Sequence, residues 1–370
     1  NSGVGRVRAK QHTLLMAAVS AGYIGPADAS FIPIEPDDAW PVVDPARISE
    51  GRAKYKTIDF DALEFTSDEL CHFILEMMRE LNLISKLGVN EARFKRFIAT
   101  VRGNYQKNPY HNWFHAVDVT QTVFAFLWMS GQADNGRFSD LQRFALLCSA
   151  LCHDIDHPGV NNMFLVQNKA ELALLYNDVS VLENHHCARM FFLLSRKELN
   201  FLESWSKEDF KTFRAVCTNC VLATDMARHK EFTDKMAALV EDPKGAAAPE
   251  NDGLLLQVFL KCADISNVVK PFPVAKKWAV RVTTEFYCQG DREKYYGMDV
   301  TPMCDPTKGT RTGSQVGFID FVVLNVYKAF CALFPGLNPC LDNCQSNKET
   351  WKTYTDQQLL SEYPVPQPDP

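Results

Sequence analysis

Long apolar runs are missing from this sequence: no uninterrupted stretch reaches the about 18 residues that a membrane-spanning helix needs. A basic field is missing too. The 39 Lys and Arg are outnumbered by 45 Asp and Glu, a net charge of −6, which leaves no electrostatic basis for nonspecific nucleic-acid binding. Strand-type alternation is almost absent, and no self-similarity at a period of about 20–50 residues marks a repeat array. The opening Asn1-Ser2-Gly3-Val4-Gly5-Arg6 has neither a starting Met nor a signal-peptide pattern, so a fragment of a longer chain is expected. Without a secretory signal, the 12 Cys do not read as a disulfide framework. Cys71, Cys148, Cys152, Cys262 and Cys331 fall in apolar helical runs, where a thiol serves as a small core group. Cys217 and Cys220 have zinc-knuckle spacing, but they lie inside a continuous helical pattern with no second pair. Cys340 and Cys344 fall in a Pro/Asn-rich loop that permits a bond between them without demanding one. A reduced, cytoplasmic protein is expected.

What is present is core material. Of 370 residues 46% are hydrophobic, enough for one large domain or two modest ones. Residues 1–56 show weak periodicity and repeated Pro, and read as an extended arm or linker with at most a short helix near Leu14–Ala18. Thr66-Ser67-Asp68-Glu69 then offers a capping box, and Leu70, Phe73, Ile74, Met77, Met78 and Leu81 recur at helical spacing. Further helices are predicted from near Asn90, from His111-Asn112-Trp113-Phe114-His115 into an amphipathic run to about Met129, and over 139–152, 161–167, 179–194, 206–228, 232–240, 254–266, 274–289 and 315–334, with a last one around Trp351. The segment Met298 to Gly313 reads as a loop. The expected architecture is all-α, one compact many-helix domain over 57–363, followed by a Pro-rich tail at 364–370.

The chemistry concentrates where an apolar helix, Phe144 to Leu151, runs into His153-Asp154-Ile155-Asp156-His157 and is broken by Pro158-Gly159. Neutral imidazole with carboxylate suits a borderline or hard divalent cation. A lone His-Asp pair at a helix end is more often a solvated cap; four such residues in five positions are not. His111 and His115 stand four apart, one turn on a shared face if both are helical. The Glu that a zinc protease places beside its first His is replaced by Asn112. Asp264, ending another apolar helix, and the polar islands Glu183-Asn184-His185-His186 and Thr224-Asp225-Met226 are each weak signals. Together they supply the inventory of a two-metal hydrolytic site.

In chain order, Tyr110-His111-Asn112-x-x-His115-Ala116-x-Asp118-Val119, His153-Asp154-x-Asp156-His157-Pro158-Gly159, Leu182-Glu183-Asn184-His185-His186, Thr224-Asp225-Met226, Ala263-Asp264-Ile265-Ser266-Asn267 and Ser314-Gln315-Val316-Gly317-Phe318-Ile319-Asp320 resemble the motifs of the class I cyclic nucleotide phosphodiesterases, part of the His-Asp metal phosphohydrolase group. The resemblance spans roughly residues 60 to 360 and makes 57–363 the catalytic domain. It implies that His115, His153, Asp154 and Asp264 hold a tightly bound zinc, and that Asp154 bridges to a magnesium or manganese ion otherwise held through waters. It puts His157, Glu183 and Thr224 around those waters, His111 as general acid, and Glu285 as the carboxylate that orients it. Gln315 is implied to hydrogen-bond the purine and Phe318 to stack on it, with Tyr110, Asn267, Val282, Phe286 and Met303 completing the substrate pocket.

The pairing of Gln315 with Phe318 also makes physical sense, because residues three apart on a helix share a face. The implied reaction is hydrolysis of a 3′,5′-cyclic nucleotide to a 5′-nucleoside monophosphate by a two-metal-activated hydroxide. Gln315 can present its amide either way, whereas Asn267 resembles the cAMP-preferring members; cAMP is the expected substrate, with cGMP or dual use open. A nucleotidase would share the His-Asp core without needing the Gln315/Phe318 pair. A non-catalytic nucleotide-sensing module could lose ligands or the acid. The expected partner is the cyclic nucleotide alone, with no nucleic acid and no transmembrane segment. Oligomeric state stays open.

Overall fold

The computed structural model describes residues 40–134 and 136–365, and among these the chain forms helices and no strand. The short helix expected near Leu14–Ala18 lies outside the described residues, as does the end of the tail. The capping box forms as predicted. Thr66 Oγ1 accepts from the Glu69 amide at 3.2 Å, and Glu69 returns a carboxylate oxygen to the Thr66 amide at 2.7 Å. It starts the Ser67–Glu80 helix, whose apolar face is buried.

The organising element is the Trp113–Met129 helix. It was expected to be amphipathic, yet nearly its whole circumference is buried, because the Ser67–Glu80, Asp140–Cys152 and Asp252–Asp264 helices surround it. Phe126, Phe259 and Phe330 meet edge to face at its far end, with ring centroids 5.0–6.5 Å apart. One ion pair is sunk in this core: Lys270 Nζ donates to Asp118 Oδ1 at 2.7 Å, with both side chains fully buried.

Four expectations are corrected. Residues 45–52 are not extended: Pro45–Arg52 is a helix capped by Asp44, docked through Arg47–Glu69 and Arg52–Glu80 pairs at 3.2 and 3.0 Å. Its Gly51 lies so close to Phe73 that an added Cβ would come within 2.2 Å of the ring. The stretch predicted as one helix over 206–228 ends at Leu222, turns at Thr224 and Asp225, and resumes as His229–Glu241. Cys340 and Cys344 are free thiols in the Asn338–Thr353 helix, one turn apart on its buried face; Pro339 sits in the first turn, where its missing N–H costs nothing. The predicted 315–334 helix begins at Arg311 and contains a π-helical turn, Ile319–Val323, between Arg311–Phe318 and Leu324–Leu333. This Arg311–Leu333 run is long and apolar enough to cross a bilayer by length and composition; Ile319, Val323, Tyr327 and Phe330 on it are buried in the protein core.

Candidate active site

Helix ends bring the site together. Asn112 caps the central helix, its Oδ1 accepting from the Phe114 and His115 amides at 2.9 and 3.3 Å, so His115 is helical while His111 stands outside. His153 follows the last residue of Asp140–Cys152, and Asp264 is the last residue of its own helix. The Nε2 atoms of His115 and His153 face each other at 3.3 Å, and each lies 3.2 Å from Asp264 Oδ1. Asp154 Oδ2 is 3.3 Å from the first and 3.1 Å from the second.

These four ligand atoms converge as a cation would require. Bonds of about 2.0–2.1 Å in a tetrahedral set imply ligand–ligand edges of about 3.3–3.4 Å, close to the spacings seen. His153 Nδ1 lies 2.8 Å from the Ala150 carbonyl, which fixes a proton there and turns Nε2 toward the cluster. Burial opposes charge on His153, yet Asp154 and then Asp264 outweigh it and hold the imidazole well above its ordinary value. Negative charge of that kind, with two imidazoles, is the donor set of a divalent cation.

His111 is built separately. Glu285, buried on the Phe272–Tyr295 helix, accepts from the Tyr110 and His111 amides through Oε2, both at 2.9 Å, and pairs with His111 Nδ1 through Oε1. Asn108 Nδ2 donates to the carbonyls of His111 at 3.0 Å and His157 at 2.7 Å, locking the two segments together. His111 Nε2 is left facing the His-Asp cluster, 3.9 Å from Asp154 Oδ2. Burial works against its charge, but Glu285 and Asp154 prevail and raise it to about 9. Glu285 is correspondingly lowered to about 2 despite burial, chiefly by His111.

On the far side of Asp154 lies a residue the sequence reading did not place. His186 Nε2 is buried, 3.6 Å from Asp154 Oδ1, and has no hydrogen-bond partner among the described residues; its Nδ1 is 2.7 Å from the Ile155 carbonyl. The signal was available: Glu183 and His186 are three apart on one helix and so share a face. Glu183 accepts from Asn162 Nδ2 at 3.0 Å and is pushed up to about 7, by burial first and then by Asp225. Thr224 spends its hydroxyl on the Val221 carbonyl at 2.7 Å.

For the substrate side, Val282, Glu285 and Phe286 share one helix, and Gln315 and Phe318 share Arg311–Phe318. Arg311 ties the two together, donating to the Val280 carbonyl at 3.2 Å and the Thr284 hydroxyl at 3.1 Å. Gln315 is buried and Phe318 half-buried, whereas Met303 is 58% exposed on the preceding 3₁₀ turn. Asn267 Nδ2 donates to the Tyr110 hydroxyl at 2.5 Å, and the Tyr110 ring packs 4.5 Å from that of His115.

An all-α domain whose helix ends converge on a His₂Asp₂ cluster able to hold a divalent cation, with a His–Glu pair beside it, has the make-up of a His-Asp metal-site protein. Comparison sharpens this. Residues 110–344 match the family model for 3′5′-cyclic nucleotide phosphodiesterase. The chain is 37% identical over 276 residues to the high affinity cGMP-specific 3′,5′-cyclic phosphodiesterase 9A of Mus musculus, covering 75% of this chain and 51% of that protein. It is 38% identical over 280 residues to the 3′,5′-cyclic-AMP phosphodiesterase, isoform F, of Drosophila melanogaster, covering 73% and 42%. The phosphodiesterase domain of the RhoPDE fusion protein from the choanoflagellate Salpingoeca rosetta superposes with a TM-score of 0.77 at 34% identity, over 83% of this chain and 97% of that one. The chain belongs to the 3′,5′-cyclic nucleotide phosphodiesterase family. It spans about half the length of the curated relatives it matches.

Proposed function

We propose that this chain hydrolyses 3′,5′-cyclic purine nucleotides to 5′-nucleoside monophosphates, with cAMP preferred and cGMP also turned over. The observation that carries the reading is His111, held by buried Glu285 and aimed at the ligand cluster 3.9 Å from Asp154. His115, His153, Asp154 and Asp264 would hold a zinc, and Asp154 would also serve a magnesium or manganese ion; bound there, the cations would offer positive charge to the phosphate and lower the pKa of a water. The chain does the rest. His111, kept protonated by Glu285, gives its Nε2 proton to the departing 3′ oxygen. His157, Glu183 and Thr224 orient water on the second-cation side. Val282, Phe286, Met303 and Phe318 form the walls of the base pocket, with Phe318 stacking on the purine.

Base choice rests on two amides. With Nδ2 donating to the Tyr110 hydroxyl, as it stands here, Asn267 would turn Oδ1 toward a base. An acceptor suits the exocyclic amine of adenine and opposes the carbonyl that guanine carries in its place. Gln315 makes only a 3.4 Å contact to Ser314, so its amide is free to turn and serve either purine. The test is hydrolysis of cAMP and cGMP by the purified protein, with and without a chelator. Chelator-sensitive release of 5′-AMP at a kcat/KM above that for cGMP is expected. No hydrolysis of either by the metal-loaded protein would overturn the reading.

A further inference from the structure

Asp156 stands between Asp154 and His157 and has the chemistry of a ligand, yet both its oxygens are spent elsewhere. Oδ1 accepts from Gln106 Nε2 at 2.9 Å. Oδ2 lies 2.9 Å from His185 Nε2 and 3.3 Å from Arg189 Nε. The buried Arg189 reaches on to Asn104 Oδ1 at 3.0 Å, so the network returns to the segment that precedes His111. The backbone at Asp156 is left-handed, with φ of 63°, a conformation a non-glycine residue keeps only where its surroundings hold it.

The same turn is gripped from the Val181–Ser195 helix. His185 and His186 leave that helix about 100° apart. One takes Asp156, the other the Ile155 carbonyl and the Oδ1 side of Asp154. Three segments that carry the proposed chemistry, 104–111, 153–159 and 181–189, therefore meet at one carboxylate. By contrast, His115, His153 and Asp264 are carried by their own helix ends, and among the described residues no hydrogen bond or ion pair joins them to Asp156.

We infer that Asp156 is a positioning residue for the second divalent cation: it fixes the far side of Asp154 relative to His157, and it leaves the first cation's ligands in place. The inference rests on the two-cation reading above. Its consequence is a split that loss of stability alone would not produce, in which the two metal affinities part company.

Protein carrying one zinc per chain is titrated with Mn²⁺ and followed by electron paramagnetic resonance, with metal content measured in parallel. Asp156→Ala is expected to retain its zinc and to weaken Mn²⁺ binding by about 10- to 100-fold. Asp156→Asn, which tolerates the left-handed backbone and still accepts from Gln106, is expected to recover part of that loss. Gln106→Ala removes one support from outside the turn; it is expected to shift Mn²⁺ affinity the same way by less, and it decides the matter where Asp156→Ala does not fold. Mn²⁺ affinity unchanged in the variants, or zinc lost together with Mn²⁺, would overturn the inference. Wild-type protein that takes up no second cation would overturn the two-cation reading itself, and that outcome shows before any substitution is made.

Discussion

The imidazole of His111 lies face to face with that of His157, their centroids 3.9 Å apart and their planes 22° from parallel. Two rings so close do not both carry charge. Burial, and then the charge on His111, push His157 well below its ordinary value, while Glu285 and Asp154 keep His111 protonated against burial. His157 Nδ1 accepts from the Gly159 amide at 3.0 Å, which places its proton on Nε2. One ring thus carries the charge that the proposed acid needs, and its neighbour is a fixed neutral donor.

A pH dependence follows, with its sign set by which form works. In the proposed reaction the protonated form of His111 is the proton donor, so a raised pKa should keep activity high at neutral pH and lose it as pH rises toward about 9. A cation on Asp154 removes one of the two supports, so the alkaline limb of the metal-loaded protein is expected between the ordinary histidine range and that value. Glu285→Gln removes the other and should move the limb toward acid. The kcat/KM profile of the two proteins across the alkaline range checks it; coincident limbs would sink it.

His111 and His115 should separate under substitution. His111→Ala is expected to lower kcat by about 10²–10⁴-fold with metal content intact, whereas His115→Ala and Asp154→Ala should lose metal and activity together. A cyclic analogue with a good 3′ leaving group needs little protonation, and should restore much of the rate to His111→Ala alone. Equal rescue of His115→Ala, or metal loss in His111→Ala, would refute the assignment.

Base recognition should fail in KM. Stacking on an aromatic ring is worth about 1–3 kcal/mol, so Phe318→Ala should raise KM about 5- to 150-fold. Gln315→Ala should weaken both purines together, because its amide is not fixed for either. Binding of cAMP by both variants at the parent affinity would place the base elsewhere.

The buried Lys270–Asp118 pair makes a prediction about stability. Lys270→Met leaves a carboxylate unpaired in the core and should cost about 3–5 kcal/mol in chemical denaturation. Adding Asp118→Asn removes the second charge and should return a good part of the loss. A double variant no more stable than Lys270→Met alone would argue against the pair as the source.

Legibility in the sequence followed the range of the interactions. The Thr66 box and the helix ending in Asp264 were readable because their signals lie within a few residues. So was the grouping of His115, His153, Asp154 and Asp264, through motif order. The helix Pro45–Arg52 was not readable: its Pro density resembles a linker, and what holds it, Gly51 against Phe73 and Arg47 on Glu69, is tertiary. The break at Leu222 was hidden for the same reason. Asp225 looks like a solvated residue inside a helix until its Oδ1 caps Ala227 and its Oδ2 takes the Ser180 hydroxyl at 2.7 Å. His186 was passed over because a second adjacent histidine reads as redundancy, whereas successive helical positions face different neighbours.

The π-helical turn at Ile319–Val323 divides one long helix into two jobs. Ahead of it, Gln315 and Phe318 face the proposed nucleotide; behind it, Tyr327 and Phe330 are rooted among Phe126 and Phe259. The surplus residue lets those two faces hold their own azimuths, as a coupling joins two shafts set at different angles. Forcing the same residues into an unbroken α-helix would swing the front half by roughly 100°, carrying the side chains proposed to read the base away while the rear stayed seated. Substitutions in the front half can therefore re-aim the face proposed to meet the base while the rear stays rooted in the core.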